Sequence, residues 1–96
     1  MIVMSMKWKN ITKAQYEKVR KMVDWEGKHP TGAVFHVAGV ADDGLRVTDI
    51  WKTEKDFAAF AEKRLMPAVI QLGVTSKPIV EIYPMHAVFN PGVKKV

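Results

Sequence analysis

The sequence predicts an α+β domain in which two helices cover one face of a four-stranded antiparallel sheet. Apolar, β-branched and alternating segments indicate the four strands. Segments with apolar residues at helical spacing follow the first and the third of these strands. The resulting order β-α-β-β-α-β is the split βαβ, or ferredoxin-like, pattern. Right-handed crossovers place both helices on the same face of such a sheet.

The first strand and the first helix are predicted close to the N-terminus. Residues 2–8 alternate, and one side of the strand is clearly apolar, with Ile2, Met4, Met6 and Trp8. Thr12 and Gln15 form a capping box, which marks the start of a helix. Its apolar residues recur at helical spacing, namely Tyr16, Val19, Met22 and Val23. The helix is expected to end near residues 25–27, before Pro30.

The second and third strands are predicted to form a hairpin. Residues 33–40 are an apolar strand, and residues 45–51 are a β-branched and aromatic one. Residues 41–44 between them have the composition of a turn, because Asp tolerates turn geometry and Gly44 supplies a positive φ.

The second helix follows the third strand almost at once. Thr53 can cap this helix, and Asp56 occupies the acidic position of a capping box. Apolar residues then form one helical stripe, namely Phe57, Phe60, Ala61, Leu65 and Ala68. Pro67 disfavours helix at the residue before it, so it either kinks the helix or lies in the first turn of a new short one. Gly73 marks the expected C-terminal end.

The fourth strand is predicted at residues 79–83. Pro84 interrupts it, and residues 85–89 are expected to continue extended as an edge or arm. The second, third and fourth strands carry apolar residues on both alternating sides, and a sheet of that kind is usually covered on both faces. Since only two helices are available, we expect a second copy to cover the open face in a symmetric homodimer.

Composition narrows the class of protein. The 96 residues form one domain, 1–96, and the absence of Cys excludes disulfides and thiolate sites. The net charge is +5, but the lysines are dispersed, which favours a solvated surface. Residues 45–51 lack the basic and aromatic pattern of RNA-recognition modules, so no nucleic acid partner is expected. The apolar start is too short to span a bilayer and is unlike a signal peptide, so we expect a cytoplasmic protein without a membrane partner.

The strand-to-helix joint at residues 49–60, DIWKTEKDFAAF, together with the element order over residues 2–89, resembles the dimeric α+β barrel superfamily. Within that superfamily the chain is similar to the antibiotic biosynthesis monooxygenase-like domains. The resemblance implies a homodimer whose sheets form an α+β barrel, with a pocket between sheet and helices in each subunit. Some members oxidise aromatic polyketides without metal or flavin, and Trp51 matches an aromatic beside their substrate pocket. Haem-degrading members pair a Trp with a ligating His and a pocket Asn, which Asn10 and His86 do not match, so no cofactor is expected.

Two titratable residues, His36 and Asp49, stand in otherwise apolar strands. If Val40 pairs with Leu45, His36 lies opposite Asp49 on the same face of the hairpin. The carboxylate would then fix the imidazole tautomer and raise its basicity, as a general base requires. With a three-residue turn, His36 would face Ile50 instead. The alternative role for the pair is structural, as two buried polar groups that satisfy one another in a core or an interface.

Four further residues are candidates for the lining of a substrate pocket, namely Trp51, His86, Phe57 and Tyr83. Aromatic side chains suit an apolar or aromatic ligand, and Trp51 stands where a strand ends beside a helix start. His86 follows the last strand, where it could reach a pocket rim or a dimer interface. The three histidines lack metal-ligand spacing, so no metal site is expected.

Two functions of different class follow from these residues. The first is a cofactor-independent oxygenase, an oxidoreductase acting on an apolar or aromatic small molecule, with His36 and Asp49 as the catalytic pair. Oxygen chemistry without a metal needs an electron-rich substrate, so a positioned base is the expected protein contribution. The second is a non-catalytic dimer that binds a small ligand or serves in stress responses, in which the His–Asp pair is structural.

Overall fold

A computed structural model describes every residue from Met1 to Val96. The strands are β1 (Ile2–Lys9), β2 (Ala33–Ala41), β3 (Gly44–Trp51) and β4 (Ile79–Pro84), and the helices are α1 (Lys13–Val23), α2 (Glu54–Phe60) and α3 (Met66–Gln71). A π-helical segment, Ala61–Leu65, joins α2 directly to α3, so the two helices form one continuous rod. The predicted order of strands and helices is confirmed.

The four strands form one antiparallel sheet in the order β2-β3-β1-β4. The two central strands, β1 and β3, pair along their whole lengths. This is the ferredoxin-like α+β architecture that the sequence predicts. None of the helices is both long enough and apolar enough to cross a membrane.

The hairpin of β2 and β3 has the first of the two predicted registers. Val40 pairs with Leu45 and His36 with Asp49, so these side chains point to the same face of the sheet. The alternative, in which His36 faces Ile50, is wrong. The turn is a two-residue one, which leaves the alternation of the two strands in phase.

A bulge interrupts the hairpin at its open end. Ala33 pairs with Trp51, whereas Phe35 pairs with Ile50, so Val34 is the extra residue on the edge strand. The sequence does not signal this bulge, because an apolar strand accommodates an extra residue without any change in composition. The bulge brings Val34 to the lining of the cavity described below.

The core lies between the helices and one face of the sheet. Met4, only 1% exposed, stands at its centre. The other members of the buried cluster come from both central strands and from the connections and helices that cover them, namely Met6, Trp8, Ile11, Leu45, Val47, Trp51, Phe57 and Val69. The apolar side of β1 is therefore buried as its alternation predicts.

Helix α1 begins where the sequence predicts and ends earlier. Thr12 and Gln15 form both hydrogen bonds of the capping box. The helix ends at Val23 because Asp24 adopts a left-handed conformation, with φ of 53°, which Asp tolerates better than most residues. The side chain of Arg64 donates to the carbonyl of Val23 at 2.7 Å. This hydrogen bond ties the end of α1 to the π-helical segment between α2 and α3.

Pro67 lies in the first turn of the short helix α3, as in the second of the two predicted alternatives, but α3 continues the π-helical segment without a break. The backbone N–H of Met66 donates to the carbonyl of Ala61, five residues back, as in a π-helix. Proline cannot donate to the carbonyl four residues before it, and a widened turn ahead of it avoids that missing bond. Leu65 in the widened turn packs against the core and lines the cavity.

For residues 85–89 the sequence predicts an extended edge or arm, and the edge strand is wrong, because no strand continues past Pro84. Strand β4 ends at Pro84, and just beyond it Met85 donates to the carbonyl of Met1, the residue before β1, at 3.0 Å. The residues beyond it pair with no strand.

The other face of the sheet carries no helix. Val37 from β2, and Ile79 and Tyr83 from β4, are each about half exposed on this face, at 49%, 59% and 46%. Its centre also carries Ile50, which is 7% exposed, and Thr48. The open face is thus partly apolar.

Candidate functional site

A cavity of about 260 Å³ lies between the sheet and the helices. Its walls are mainly apolar, with aromatic side chains from every layer, namely Trp8, Trp25, Phe35, Trp51, Phe57 and Phe60. Polar groups are few and include Tyr16, His36 and Asp49. A mainly apolar cavity with a few polar groups is the usual form of a small-molecule site.

Asp49 is the buried charged group at this site. It stands in the middle of the central strand β3 and is 5% exposed. One carboxylate oxygen lies 2.6 Å from Nδ1 of His36, its partner across the hairpin, and the other accepts a hydrogen bond from Nε1 of Trp51 at 3.0 Å. The alternation of β3 puts Asp49 and Trp51 on the same face, two residues apart. Both oxygens are therefore held by side chains from the sheet.

Tyr16 extends this chain of contacts to helix α1. Its phenol oxygen lies 2.7 Å from Nε2 of His36, so both ring nitrogens of the histidine have partners inside the protein. Burial raises the pKa of Tyr16 to about 12, and the phenol is therefore protonated near neutral pH. The sequence places Tyr16 on the apolar stripe of the helix but does not indicate which strand residue it meets.

Trp25 packs against the same histidine from the loop after α1. Its ring centre is 4.9 Å from that of His36 and 5.9 Å from that of Tyr16. The left-handed turn at Asp24 sets the direction of this loop, and the side chain of Asp24 accepts from the N–H of Gly27 at 3.2 Å. The sequence does not indicate that Trp25 meets His36, because the direction of Trp25 depends on a loop, although a large aromatic just after a helix end is a usable signal.

The opposite wall of the cavity is aromatic. Trp51 makes an edge-on contact with Phe57, with ring centres 5.6 Å apart, and lies 5.3 Å from Phe60. Thr53 caps α2 by accepting from the N–H of Asp56 at 3.0 Å, which fixes where this helix begins. The end of β3 and the start of α2 are therefore close enough for the rings of Trp51 and Phe57 to meet.

The structure brings together four of the six residues that the sequence selects. His36, Asp49, Trp51 and Phe57 all line the cavity. Tyr83 and His86 do not line this cavity. Tyr83 pairs with Val3, on the alternation of β4 that faces away from the helices, and His86 is exposed beyond the end of that strand.

Two protonation states complete the same set of hydrogen bonds. With a neutral imidazole, the hydroxyl of Tyr16 donates to Nε2 and the Nδ1–H of His36 donates to Asp49. With an imidazolium, both ring N–H groups donate, one to the phenol oxygen and one to the carboxylate. The site can therefore accept a proton without losing a hydrogen bond between His36 and its neighbours.

No group of three or more His, Asp or Glu side chains lies close enough together to hold a metal ion. The polar groups of the cavity are instead arranged as a linear series, from Trp51 through Asp49 and His36 to Tyr16. Such a series is suited to hold and move a proton.

Comparison with known proteins gives similarity in structure but not in sequence. No family model matches the chain, and no curated protein matches it in sequence. Among solved structures, a Nitrosomonas europaea protein of unknown function, NE2512, superposes with a TM-score of 0.71 at 13% identity, over 96% of this chain and 95% of that one.

Two further structures connect the fold with oxygenases. A protein from Nitrosomonas europaea, provisionally assigned as an antibiotic biosynthesis monooxygenase, has a TM-score of 0.63 at 16% identity, covering 88% of this chain and 98% of its own. SnoaB from Streptomyces nogalater, described as a cofactor-independent oxygenase, has a TM-score of 0.59 at 18% identity, covering 91% and 92% of the two chains. The chain therefore has the fold of the antibiotic biosynthesis monooxygenase-like proteins.

Proposed function

We propose that this protein is a small enzyme that removes a proton from an apolar, aromatic hydroxyl compound and promotes its oxidation by dioxygen without a cofactor. The observation that carries the proposal is the 2.6 Å contact between His36 and the buried Asp49 at the wall of a mainly apolar cavity. The fold that the chain shares with SnoaB, a cofactor-independent oxygenase, supports the same class of reaction.

The chemistry assigned to each group follows from its position. His36 takes the proton of the substrate, and the carboxylate of Asp49 stabilises the imidazolium that forms. Trp51 holds the second carboxylate oxygen, so the acid keeps its orientation. The substrate anion is electron-rich enough to reduce dioxygen, which is the oxidant in this reaction. Apolar walls around it exclude water and favour a substrate with little other polarity.

The proposal is tested by oxygen consumption. Purified protein is supplied in air with a panel of hydroxyaromatic compounds and hydroquinones, and uptake of dioxygen is followed above the uncatalysed rate. His36→Gln is expected to abolish the catalysed part, typically a loss of about 10²-fold or more for a general base. His86→Gln is the matched control, because that histidine lies outside the cavity. Turnover that survives His36→Gln would contradict the proposal.

A second candidate function, a non-catalytic dimer that binds a small apolar ligand, is favoured by one observation. Both nitrogens of His36 and both oxygens of Asp49 already have partners in the chain, as in a structural pair. This alternative predicts that aromatic ligands bind with no oxygen uptake by the wild type, and that His36→Gln loses stability rather than activity.

We also propose that the protein is a homodimer formed through the open face of the sheet. The half-exposed Val37, Ile79 and Tyr83 on that face are better accounted for by a partner than by water. Arg46 lies on the same face, and its buried Nη1 has no hydrogen-bond partner within the chain. A second copy offers both apolar cover and backbone or side-chain acceptors at this face.

A further inference from the structure

The base of the proposed reaction has no free nitrogen. Nδ1 of His36 contacts Asp49 at 2.6 Å, and Nε2 contacts the phenol oxygen of Tyr16 at 2.7 Å. A substrate hydroxyl in the cavity therefore cannot reach either nitrogen while the native contacts last. Tyr16 itself lines the cavity, and a phenol oxygen that donates one hydrogen bond keeps lone pairs with which it can accept another.

From this geometry we infer that Tyr16 is a catalytic residue, the group that contacts the substrate hydroxyl and relays its proton to His36. The inference deepens the proposed function and rests on it. It also specifies the substrate class further, because the reacting group must be a hydroxyl that can donate to a phenol oxygen in an otherwise apolar site.

The relay moves two protons in linked steps, and its net result is the transfer of one proton from the substrate to His36. The substrate O–H bond breaks as its proton joins the oxygen of Tyr16, and the Tyr16 O–H bond breaks as its own proton joins Nε2 of His36. The substrate is left as an anion, Tyr16 as a neutral phenol and His36 as an imidazolium beside Asp49. No electrons are transferred in this step, and no co-reactant is needed.

The surroundings of Tyr16 favour this role. Because burial raises the pKa of Tyr16 to about 12, the residue enters the step as the phenol, with a proton to pass on. Its ring lies nearly parallel to that of His36, at 3° between planes, and Trp25 packs against both rings. The two rings are thus held in place on either side of the transferred proton.

The alternative is that the substrate displaces Tyr16 and meets His36 directly, in which case Tyr16 blocks the base. The two possibilities predict opposite effects of removing the hydroxyl. If Tyr16 is a relay, Tyr16→Phe removes the path by which the proton reaches His36. If Tyr16 only blocks the base, Tyr16→Phe frees Nε2 of His36 for the substrate.

The test uses 4-nitrophenol as probe, because its phenol and phenolate forms absorb at different wavelengths. The ionised fraction of bound probe is measured in the wild type, in Tyr16→Phe, in His36→Gln and in Tyr83→Phe. Tyr83 is the other tyrosine of the chain, and its hydroxyl lies outside the cavity. The relay predicts that bound probe is more ionised than free probe in the wild type and in Tyr83→Phe. In Tyr16→Phe the ionised fraction falls to the level of His36→Gln.

The outcomes separate the relay from the function on which it rests. A wild type that binds the probe without ionising it overturns both. If the ionised fraction of bound probe in Tyr16→Phe equals or exceeds that in the wild type, the relay alone is overturned and His36 remains the base.

A second measurement keeps the inference testable should Tyr16→Phe unfold. Tyr83→Phe labelled with 3-fluorotyrosine carries fluorine only at Tyr16, since the chain has two tyrosines. Its fluorine resonance is expected to shift with 4-nitrophenol and not with nitrobenzene, which fills the cavity but lacks the hydroxyl. Equal shifts with both compounds, or none with 4-nitrophenol, would count against contact between Tyr16 and the substrate hydroxyl.

Discussion

At the scale of single residues, the site depends on how the buried carboxylate of Asp49 is held. A carboxylate that is 5% exposed is stable inside a protein only when donors replace the water it has lost. His36 and Trp51 supply those donors, one for each oxygen. The contact between His36 and Asp49 also orients the imidazole for its role as a base, so structural and catalytic requirements coincide at this residue.

Asp49→Asn tests this arrangement, because the amide keeps the size of the carboxylate and loses one acceptor. One of the two N–H donors then faces an NH₂ group, and a buried unpaired donor costs about 1–3 kcal/mol. We expect the free energy of unfolding in urea to fall by that amount and oxygen uptake with any substrate to fall with it. Asp42→Asn, in the exposed hairpin turn, is the control and should change neither. If the stability of Asp49→Asn is unaltered, the hydrogen bonds from His36 and Trp51 to the carboxylate are not essential to the fold.

At the scale of elements, helix α1 positions Tyr16 over the sheet, and its first turn fixes where it begins. The hydroxyl of Thr12 accepts from the N–H of Gln15 at 3.2 Å, and the side chain of Gln15 accepts from the N–H of Thr12 at 2.9 Å. Thr12→Ala removes half of this box and is expected to cost about 1 kcal/mol of unfolding free energy. Thr12→Ser keeps the hydroxyl and should restore most of it. Equal losses in both variants, measured by urea denaturation, would contradict a capping role.

The loop that carries Trp25 is tied to α1 by an ion pair that depends on pH. The hydrogen bond from Arg20 lowers the pKa of Glu26 to about 2, and Lys95 adds to the effect. Because the ordinary pKa of Glu is 4.5, this contribution to stability is complete above pH 4.5 and is lost as the pH falls towards 2. Both side chains of the Arg20–Glu26 pair are about a quarter exposed, so the contribution is small.

Glu26→Gln therefore has a defined pH signature. Its melting temperature should lie below that of the wild type at neutral pH, and the gap should close between pH 4.5 and 2. Glu62→Gln removes an exposed carboxylate that has no ion pair, and it should show no such closing gap. A gap for Glu26→Gln that stays constant down to pH 2 would mean that the ion pair is not the cause.

Local rules in the sequence account for much of this structure. The hairpin register follows from a two-residue turn, and it alone brings His36 opposite Asp49. Tyr16 and Trp25 could not be assigned in the same way. A helical stripe shows which side of α1 faces the sheet but not how far along the sheet each residue falls, and the direction of Trp25 depends on a left-handed residue in a loop.

At the scale of the whole molecule, the two faces of the sheet differ in what they require. One face is covered by the helices, and the cavity lies between this face and the helices. The other face presents Val37, Ile79 and Tyr83, each about half exposed. If two copies pack face to face, these side chains lose water together, and a gain of about 25 cal/mol per Å² of apolar surface favours the dimer. The barrel that results keeps the two cavities on its outer sides, each with its own helices.

Val37→Asp is the direct test of this assembly. Val37 lies on the open face of β2, and a carboxylate there would be buried without a partner in the dimer, at a cost greater than the apolar contact it replaces. Light scattering after size exclusion should give a dimer for the wild type and a monomer for Val37→Asp at the same concentration. Val88→Asp places the same charge on a comparably exposed valine outside the sheet, and it should remain dimeric. A monomeric wild type at all concentrations, or a dimeric Val37→Asp, would show that the open face is not the interface between copies.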